Sequence, residues 1–292
     1  MFEDWKVAVV IPARNEQEHL PKVLSTMPEL VDEVVVIDDG STDRTGALVA
    51  NADLVRLEGE GVGAAIDAGH KHLLAKIEGR FISVVMAGDG QMDPSDLTSL
   101  LQPIIDSKAH HVKGERLDRA GKMPKIRRFG TLLLSFLTTL ACGQTIRDSQ
   151  CGYTATSSEV LSQWDWSRSW KGYGYPNWWL MRLSTEGWSI SHVPVKSVYE
   201  GQTSGIKIPS FFAEVSLMLL IGLHYRVFKS VLPIISVHPI PIALVICYSL
   251  GWLGLVYSLT YGVIFFPIPI FMWWITHKLD RVIVEVLRRP LE

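Results

Sequence analysis

The 292-residue sequence predicts an α/β catalytic domain followed by amphipathic helices and a C-terminal helical hairpin. Three observations predict it. Short β-branched runs alternate with longer helical patterns through about residue 205, which argues a mostly parallel sheet with helices on both faces. Two runs, VAVVIP and EVVVID, are continuously apolar, as strands buried on both faces are. Finally, no Asp, Glu, Lys or Arg occurs between Lys229 and Lys278.

In chain order, strands are expected at 6–11, 33–37, 53–57, 81–86, 111–113 and 190–195, and helices at 16–27, 43–51, 61–77, 95–107 and 125–140. Residues 1–205 thus form one domain, large enough for a sizeable core. Within 206–230, Ile206, Ile208, Phe211, Phe212, Val215, Met218, Leu219 and Leu223 recur at roughly helical spacing among charges. They predict amphipathic helices on a membrane surface, with packing against the domain as the alternative. Residues 231–277 are almost wholly apolar. One helix over 240–275 would be about 54 Å long, against a bilayer core of about 30 Å. Two transmembrane helices with a turn near 258–262 fit better. Residues 278–292 form a basic tail, and basic residues on both flanks place the catalytic domain and the C-terminus in the cytosol.

The composition agrees. Lys+Arg number 28 against 30 Asp+Glu, for a net charge of -2, yet the mean hydropathy is +0.20. Near-zero charge offers no footprint for nucleic acid, and the charge gap excludes a simple soluble enzyme. Three cysteines make neither a disulfide framework nor a zinc spacing. The acidic start MFEDWKVAVV lacks the features of a signal peptide, which again predicts a cytosolic bulk.

Chemistry-bearing residues cluster where strands should end. IPARNE (11–16) leaves the first strand, and Glu16 is expected in the first turn of the next helix. IDDGSTDRT (37–45) leaves the second with Asp38 and Asp39, which suit a base or ribose; a capped turn is the plainer reading. Gly61 and Gly63 open a small-residue helix whose amides could approach a nucleotide. VVMAGDGQMDP (84–94) sets Asp89, Gln91 and Asp93 at alternate positions, which suits Mg2+ or Mn2+ shared with substrate phosphates. Arg116, Arg127 and Arg128 are phosphate partners by type. IRDSQCGYTA carries Asp148 and Gln150, and an aromatic stretch includes Trp164, Trp166 and Trp170.

Together these motifs resemble the family 2 glycosyltransferases of GT-A fold, and most nearly the dolichyl- or polyprenyl-phosphate hexose synthases. IPARNE looks like their IPxYNE, the Gly61/Gly63 start like NxGxGxA, and AGDGQMDP sits at their DxD metal motif. MPxxRxxG (123–130), DSQCGY (148–153) and VPVKSVYEGQTSGI (193–206) resemble the acceptor-side and closing segments. The resemblance implies that Pro12, Arg14, Glu16, Asp39, Gly63 and Asp67 bind the nucleotide. It implies Asp89 and Gln91 at the metal, Arg116, Arg127 and Thr131 at the acceptor phosphate, and Asp148 and Gln150 at the sugar, with Asp89, Asp148, Arg116 and Arg127 central to catalysis. Arg14, Val62, Ala87, Thr131, Thr154 and Pro176 depart from the usual pattern; Ala87 removes one carboxylate of the metal motif.

The expected reaction moves a hexose from GDP-mannose or UDP-glucose to a polyprenyl (dolichyl-type) phosphate by metal-assisted, inverting displacement at a membrane lipid surface. A different lipid or glycan hydroxyl as acceptor, or a non-catalytic membrane scaffold on this fold, are the alternatives. The oligomeric state is not legible.

Overall fold

A computed structural model describes residues 2–116, 125–196, 208–229 and 239–291. Its centre is one seven-stranded sheet in the order β3-β2-β1-β4-β6-β5-β7. The strands are β1 (Lys6–Ala13), β2 (Glu33–Asp39), β3 (Asp53–Leu57), β4 (Phe81–Val85), β5 (His111–Glu115), β6 (Thr154–Ser157) and β7 (Ile190–Pro194). All pairings are parallel except those of β6, which runs antiparallel to both β4 and β5. Helices α1 (Leu20–Ser25), α2 (Val62–Lys76), α3 (Leu97–Ile105), α4 (Lys125–Cys142), α5 (Ser158–Ser162) and α6 (Tyr175–Thr185) flank it.

The continuous apolar runs are explained by two cores. Val7, Val9 and Ile11 of β1 face Leu20 of α1 and Leu97, Leu100 and Leu101 of α3. The intervening Ala8 and Val10 face Ala65, Ile66 and Leu73 of α2, with Trp179 and Leu183 of α6. Because side chains alternate along a strand, only a strand covered on both sides is apolar throughout.

Three expectations are corrected. The helix placed at 16–27 is only Leu20–Ser25, and Glu16 precedes it instead of lying in its first turn. Residues 43–51 contain a short 3-10 turn, Thr45–Leu48, because Asp43 and Thr45 bond to each other and to the β1 exit. Strand β6 (TATS) is absent from the expected elements, because three small polar residues around one alanine make no apolar run.

The C-terminal part comprises α7 (Ile208–Lys229), α8 (Ile240–Tyr261) and α9 (Pro267–Val286). Helix α7 buries Val215, Met218 and Leu219 against Leu134 of α4 and Leu180 and Met181 of α6. Its other face exposes Leu217, Ile221 and Phe228. Helices α8 and α9 pack as a hairpin turning at Gly262, with Gly251 against Trp273 and Gly254 against Pro269. Segments Phe211–Lys229 and Ile240–Tyr261 are long and apolar enough to cross a membrane. Helix α9 differs: Lys278, Asp280, Arg281 and Glu285 occupy its second half. Its apolar first half, 267–277, spans about 17 Å, less than a bilayer core of about 30 Å.

Two contacts tie the hairpin to the sheet domain. Arg226 of α7 forms a buried ion pair with Asp280 of α9 and donates to the Cys142 carbonyl at the end of α4 at 2.7 Å. Gly143, in the left-handed region at φ 67°, turns the chain where this pair passes. The tail beyond α9 is no free extension. Arg289 stacks on Trp188 at 3.8 Å and donates to the Glu186 carbonyl, and its amide bonds to Gly187.

A buried pair that loses one member leaves an uncompensated charge, at a cost of about 3–5 kcal/mol. Asp280→Ala is therefore expected to lower the melting temperature in detergent. The double variant Arg226→Met, Asp280→Leu should recover most of that loss. An unchanged melting temperature in the single variant contradicts the pairing.

Candidate active site

The parallel strands and the antiparallel β6 bring the predicted residues to one edge. The C-terminal ends of β1, β2, β4 and β5 and the N-terminal end of β6 share it. The exits Pro12–Glu16, Asp38–Asp39, Asp89–Gln91 and Arg116, and the entry Asp148–Gln150, therefore converge there. Ligands of open α/β sheets bind outside this edge.

The nucleotide-side loops are laced together. Asn15, left-handed at φ 57°, accepts from the Thr42 amide at 2.8 Å through Oδ1, and its own amide donates to Ser41 Oγ at 3.0 Å. The Glu16 amide donates to Thr45 Oγ1 at 2.8 Å, and the Glu16 carboxylate meets His19 Nδ1 at 3.0 Å. Burial, with the Asp89 charge adding to it, raises the Glu16 carboxyl above its usual range. Asp38 accepts from the Ser41 amide, which is the capped-turn role. Asp39 does something else. Its two oxygens accept from the amides of Glu60 and Gly61 at 2.7 and 2.8 Å, so it holds the glycine-rich loop beside the β2 exit. Gly40 makes that approach possible: it is left-handed at φ 72°, and a Cβ there would lie 2.8 Å from Gly59 N. Arg14 is exposed and lies beside Gly59.

Two nucleotide-side residues have partners within the chain. The Gly63 amide is already bonded to the Lys171 carbonyl at 2.8 Å, and a Cβ at Gly63 would strike the Trp170 carbonyl. Close approach there serves helix packing. Asp67 is buried in α2 and accepts from Tyr175 Oη at 3.1 Å; burial raises its carboxyl.

On the metal-side loop, Asp89 Oδ1 accepts from the Gln91 amide at 2.9 Å, and both residues are partly exposed. Asp93 caps the following turn through Ser95 N and meets Lys196, so it stands apart as a structural residue. No cluster of three His, Cys, Asp or Glu is present among the described residues. One carboxylate and one amide on an accessible loop fit Mg2+ or Mn2+ that keeps waters and substrate phosphate oxygens, not a closed protein cage.

Arg116 and Asp148, 32 residues apart, form a bidentate pair: Nε to Oδ2 at 2.8 Å and Nη2 to Oδ1 at 3.0 Å, with the Arg116 amide also on Oδ2. Asp148 is fully buried. Burial alone would raise its carboxyl, but the Arg116 bonds and charge outweigh that and hold it below the ordinary range. Gln150 donates to Asn177 Oδ1 at 2.7 Å, and Asn177 donates to Thr138 on α4. Thr131 is buried on α4, and Arg127 lies in the same helix with its side chain outside the described residues. Met123, Pro124 and residues 197–206 also lie outside them. Sequence reasoning missed Asn15 and Asn177 as organisers. Asn15 stands inside the quoted IPARNE, while Asn177 carries no local signal.

The mostly parallel sheet and the residues gathered at this edge are those of a GT-A type fold. The chain belongs to glycosyl transferase family 2, whose profile it matches over residues 8–164. It is 29% identical over 220 residues to the UDP-N-acetylglucosamine–dolichyl-phosphate N-acetylglucosaminyltransferase of Methanococcus voltae, covering 67% of this chain and 87% of that one. It is 32% identical over 205 residues to the polyprenol monophosphomannose synthase of Mycolicibacterium smegmatis, covering 65% and 76%. Among solved structures, glucosyl-3-phosphoglycerate synthase from Mycobacterium tuberculosis, in complex with Mn2+, UDP and phosphoglyceric acid, shares the fold with a TM-score of 0.57 and 21% identity, over 76% of this chain and 78% of that one. The protein is a glycosyltransferase.

Proposed function

We propose that the protein transfers a hexose from a nucleotide-diphosphate sugar, GDP-mannose or UDP-glucose, to a polyprenyl phosphate. The observation that carries this reading is the Arg116–Asp148 pair at the edge that also bears Asp89. The attacking atom is a phosphate oxygen of the lipid, already anionic at neutral pH. It displaces the nucleoside diphosphate from the anomeric carbon in one inverting step and needs no general base. Asp148, ionised and clamped, is poorly suited to take a proton but well suited to fix Arg116 and orient the sugar. A hydroxyl acceptor would demand a base, so the pairing favours the phosphate. The arginines lower the cost of bringing two anions together. Asp89 and Gln91 would hold a divalent cation, which when bound neutralises charge on the departing diphosphate.

Both enzyme relatives named above act on polyprenyl-type phosphates by their names, which supports the acceptor; they differ in sugar. The exposed apolar faces of α8, α9 and the turn between them, with Leu253, Leu259, Ile264 and Ile270 more than 60% exposed, support seating in a membrane. We place the catalytic domain and the C-terminus in the cytosol, with the site at the bilayer surface. The test is a panel of labelled nucleotide sugars incubated with polyprenyl phosphate in detergent, with and without chelator. A lipid-extractable product that disappears with chelator is expected. Transfer to a hydroxyl lipid but not to the phosphate would overturn the acceptor.

A further inference from the structure

The strand order fixes the direction in which a donor lies. Asp89 and Gln91 follow β4, and the groups assigned to the sugar and the acceptor, Asp148, Gln150 and Arg116, stand on its β6–β5 side. A nucleoside diphosphate whose phosphates meet a cation at Asp89 therefore extends its base the other way, across β1 and β2 toward β3. Three strand intervals separate β4 from β3, about 14 Å at the usual spacing, which is within the reach of an extended nucleoside diphosphate. Strand β3 runs parallel to β2 with Leu57 beside Asp39, so the loop that leaves it, residues 58–61, opens on the same edge.

The polar groups at that end are not equally available. Both oxygens of Asp39 already accept from the amides of Glu60 and Gly61. Opposite the loop, the chain before α6 is held by its backbone, since the Gly63 amide donates to the Lys171 carbonyl at 2.8 Å. These two anchorages leave the side chains of Glu60 and Lys171 facing each other, with Lys171 Nζ donating to Glu60 Oε2 at 3.2 Å and the two side chains 67% and 44% exposed for Lys171 and Glu60. An exposed ion pair of this kind adds little to stability, and both loops are fastened without it. What the pair does offer is an acceptor next to a donor, mounted on fixed backbone. Arg14, beside Gly59, brings a guanidinium plane to the same loop.

We propose that Glu60 and Lys171 read the base of the donor: the Glu60 carboxylate accepts from a ring N–H, and the Lys171 ammonium donates to the carbonyl oxygen beside it. Uracil and guanine carry an N–H next to a C=O on their pairing edge. Cytosine and adenine carry the reverse, an unprotonated ring nitrogen next to an amino group. A base tethered through its ribose cannot turn end for end to exchange the two. With cytosine or adenine the carboxylate would meet a lone pair and the ammonium another donor, and both would lose partners on leaving water. The inference rests on the reading of the protein as a nucleotide-sugar transferase. It agrees with the two donors named above and adds the residues that choose between classes of base.

The test titrates UDP, GDP, CDP and ADP into the full chain in detergent with Mn2+ and reads affinity by calorimetry. The wild type is expected to bind UDP or GDP about tenfold more tightly, or better, than CDP and ADP. Glu60→Ala and Lys171→Met should each cut that ratio at least about fivefold by weakening the preferred nucleotide, while CDP and ADP change less than about twofold. Both side chains are exposed, so the melting temperature should stay that of the wild type. No preference in the wild type, a ratio unchanged in the variants, or an equal loss for all four nucleotides overturns the base reading. The lipid-transfer assay separates this inference from the acceptor assignment. Discrimination in binding with no lipid product keeps the pair and removes the acceptor; transfer to polyprenyl phosphate without discrimination removes the pair alone.

Discussion

Asp89→Asn is expected to lower turnover by about three orders of magnitude, the scale seen when charge stabilisation of a leaving group is lost. The substitution is chosen for its shape. Asparagine keeps an oxygen for the Gln91 amide, so the loop between β4 and α3 should hold its turn while the carboxylate charge disappears. Three measurements make the expectation specific. Turnover is followed as lipid-extractable label. Donor affinity is measured by calorimetry with Mn2+ and again with chelator. The variant should bind the donor less tightly than wild type when the cation is present and equally when it is absent. A variant that retains wild-type turnover would remove Asp89 from the metal site. The consequence is sharper here because Ala87 stands where a further carboxylate is usual in the resembling proteins, and Asp93 is committed to Ser95 and Lys196.

The second large effect lies at Arg116. Arg116→Met strands the fully buried Asp148 carboxylate, and an unpaired buried charge costs about 3–5 kcal/mol. The pH dependence has a definite sign. In the wild type the Asp148 carboxyl is held below its usual value, so the pair stabilises the fold above the unfolded carboxylate pKa of about 4 and loses that contribution as pH falls further. In the variant the Lys113 charge remains, but the Arg116 bonds and charge are gone, so Asp148 gains a proton more easily. The gap in melting temperature between the two proteins should be largest near neutrality, begin to shrink as falling pH protonates Asp148 in the variant, and shrink further below about 4 as the wild-type pair is lost. Turnover should fall at least a hundredfold at pH 7. Arg116→Lys should not rescue it, since an ammonium cannot reproduce the two parallel bonds. A constant gap across pH would show that the loss comes from packing instead of charge.

Much of the sheet was readable because burial on both faces leaves an unbroken apolar run, as in β1 and β2. The strand that carries least of that signature, β6, escaped notice although it sets the antiparallel step that delivers Asp148 to the edge. Helix limits were overestimated after β1 and β2, where side-chain bonds among Asn15, Glu16, Gln17 and the 41–45 loop displace helical ones. The site residues were visible as types at strand ends, but their partnerships were not. That Arg116 would pair with Asp148 depends on α4 returning the chain across 32 residues, which no local pattern encodes. Lys113 was hidden for the opposite reason: a single lysine in HHVKGE looks like an exposed strand residue until two helices are seen to cover it.

The anchorage of the hairpin at both of its ends has an arithmetical consequence. Arg226 meets Asp280 beside the last carbonyl of α4, and Arg289 rests on Trp188 of the same domain. A polypeptide loop whose departure and return are stapled to one body can traverse a barrier only an even number of times. An odd count would require those staples to tear. A fusion partner appended after Glu292 should therefore report the same compartment as one placed before the first strand, whether the excursion between them is deep or shallow.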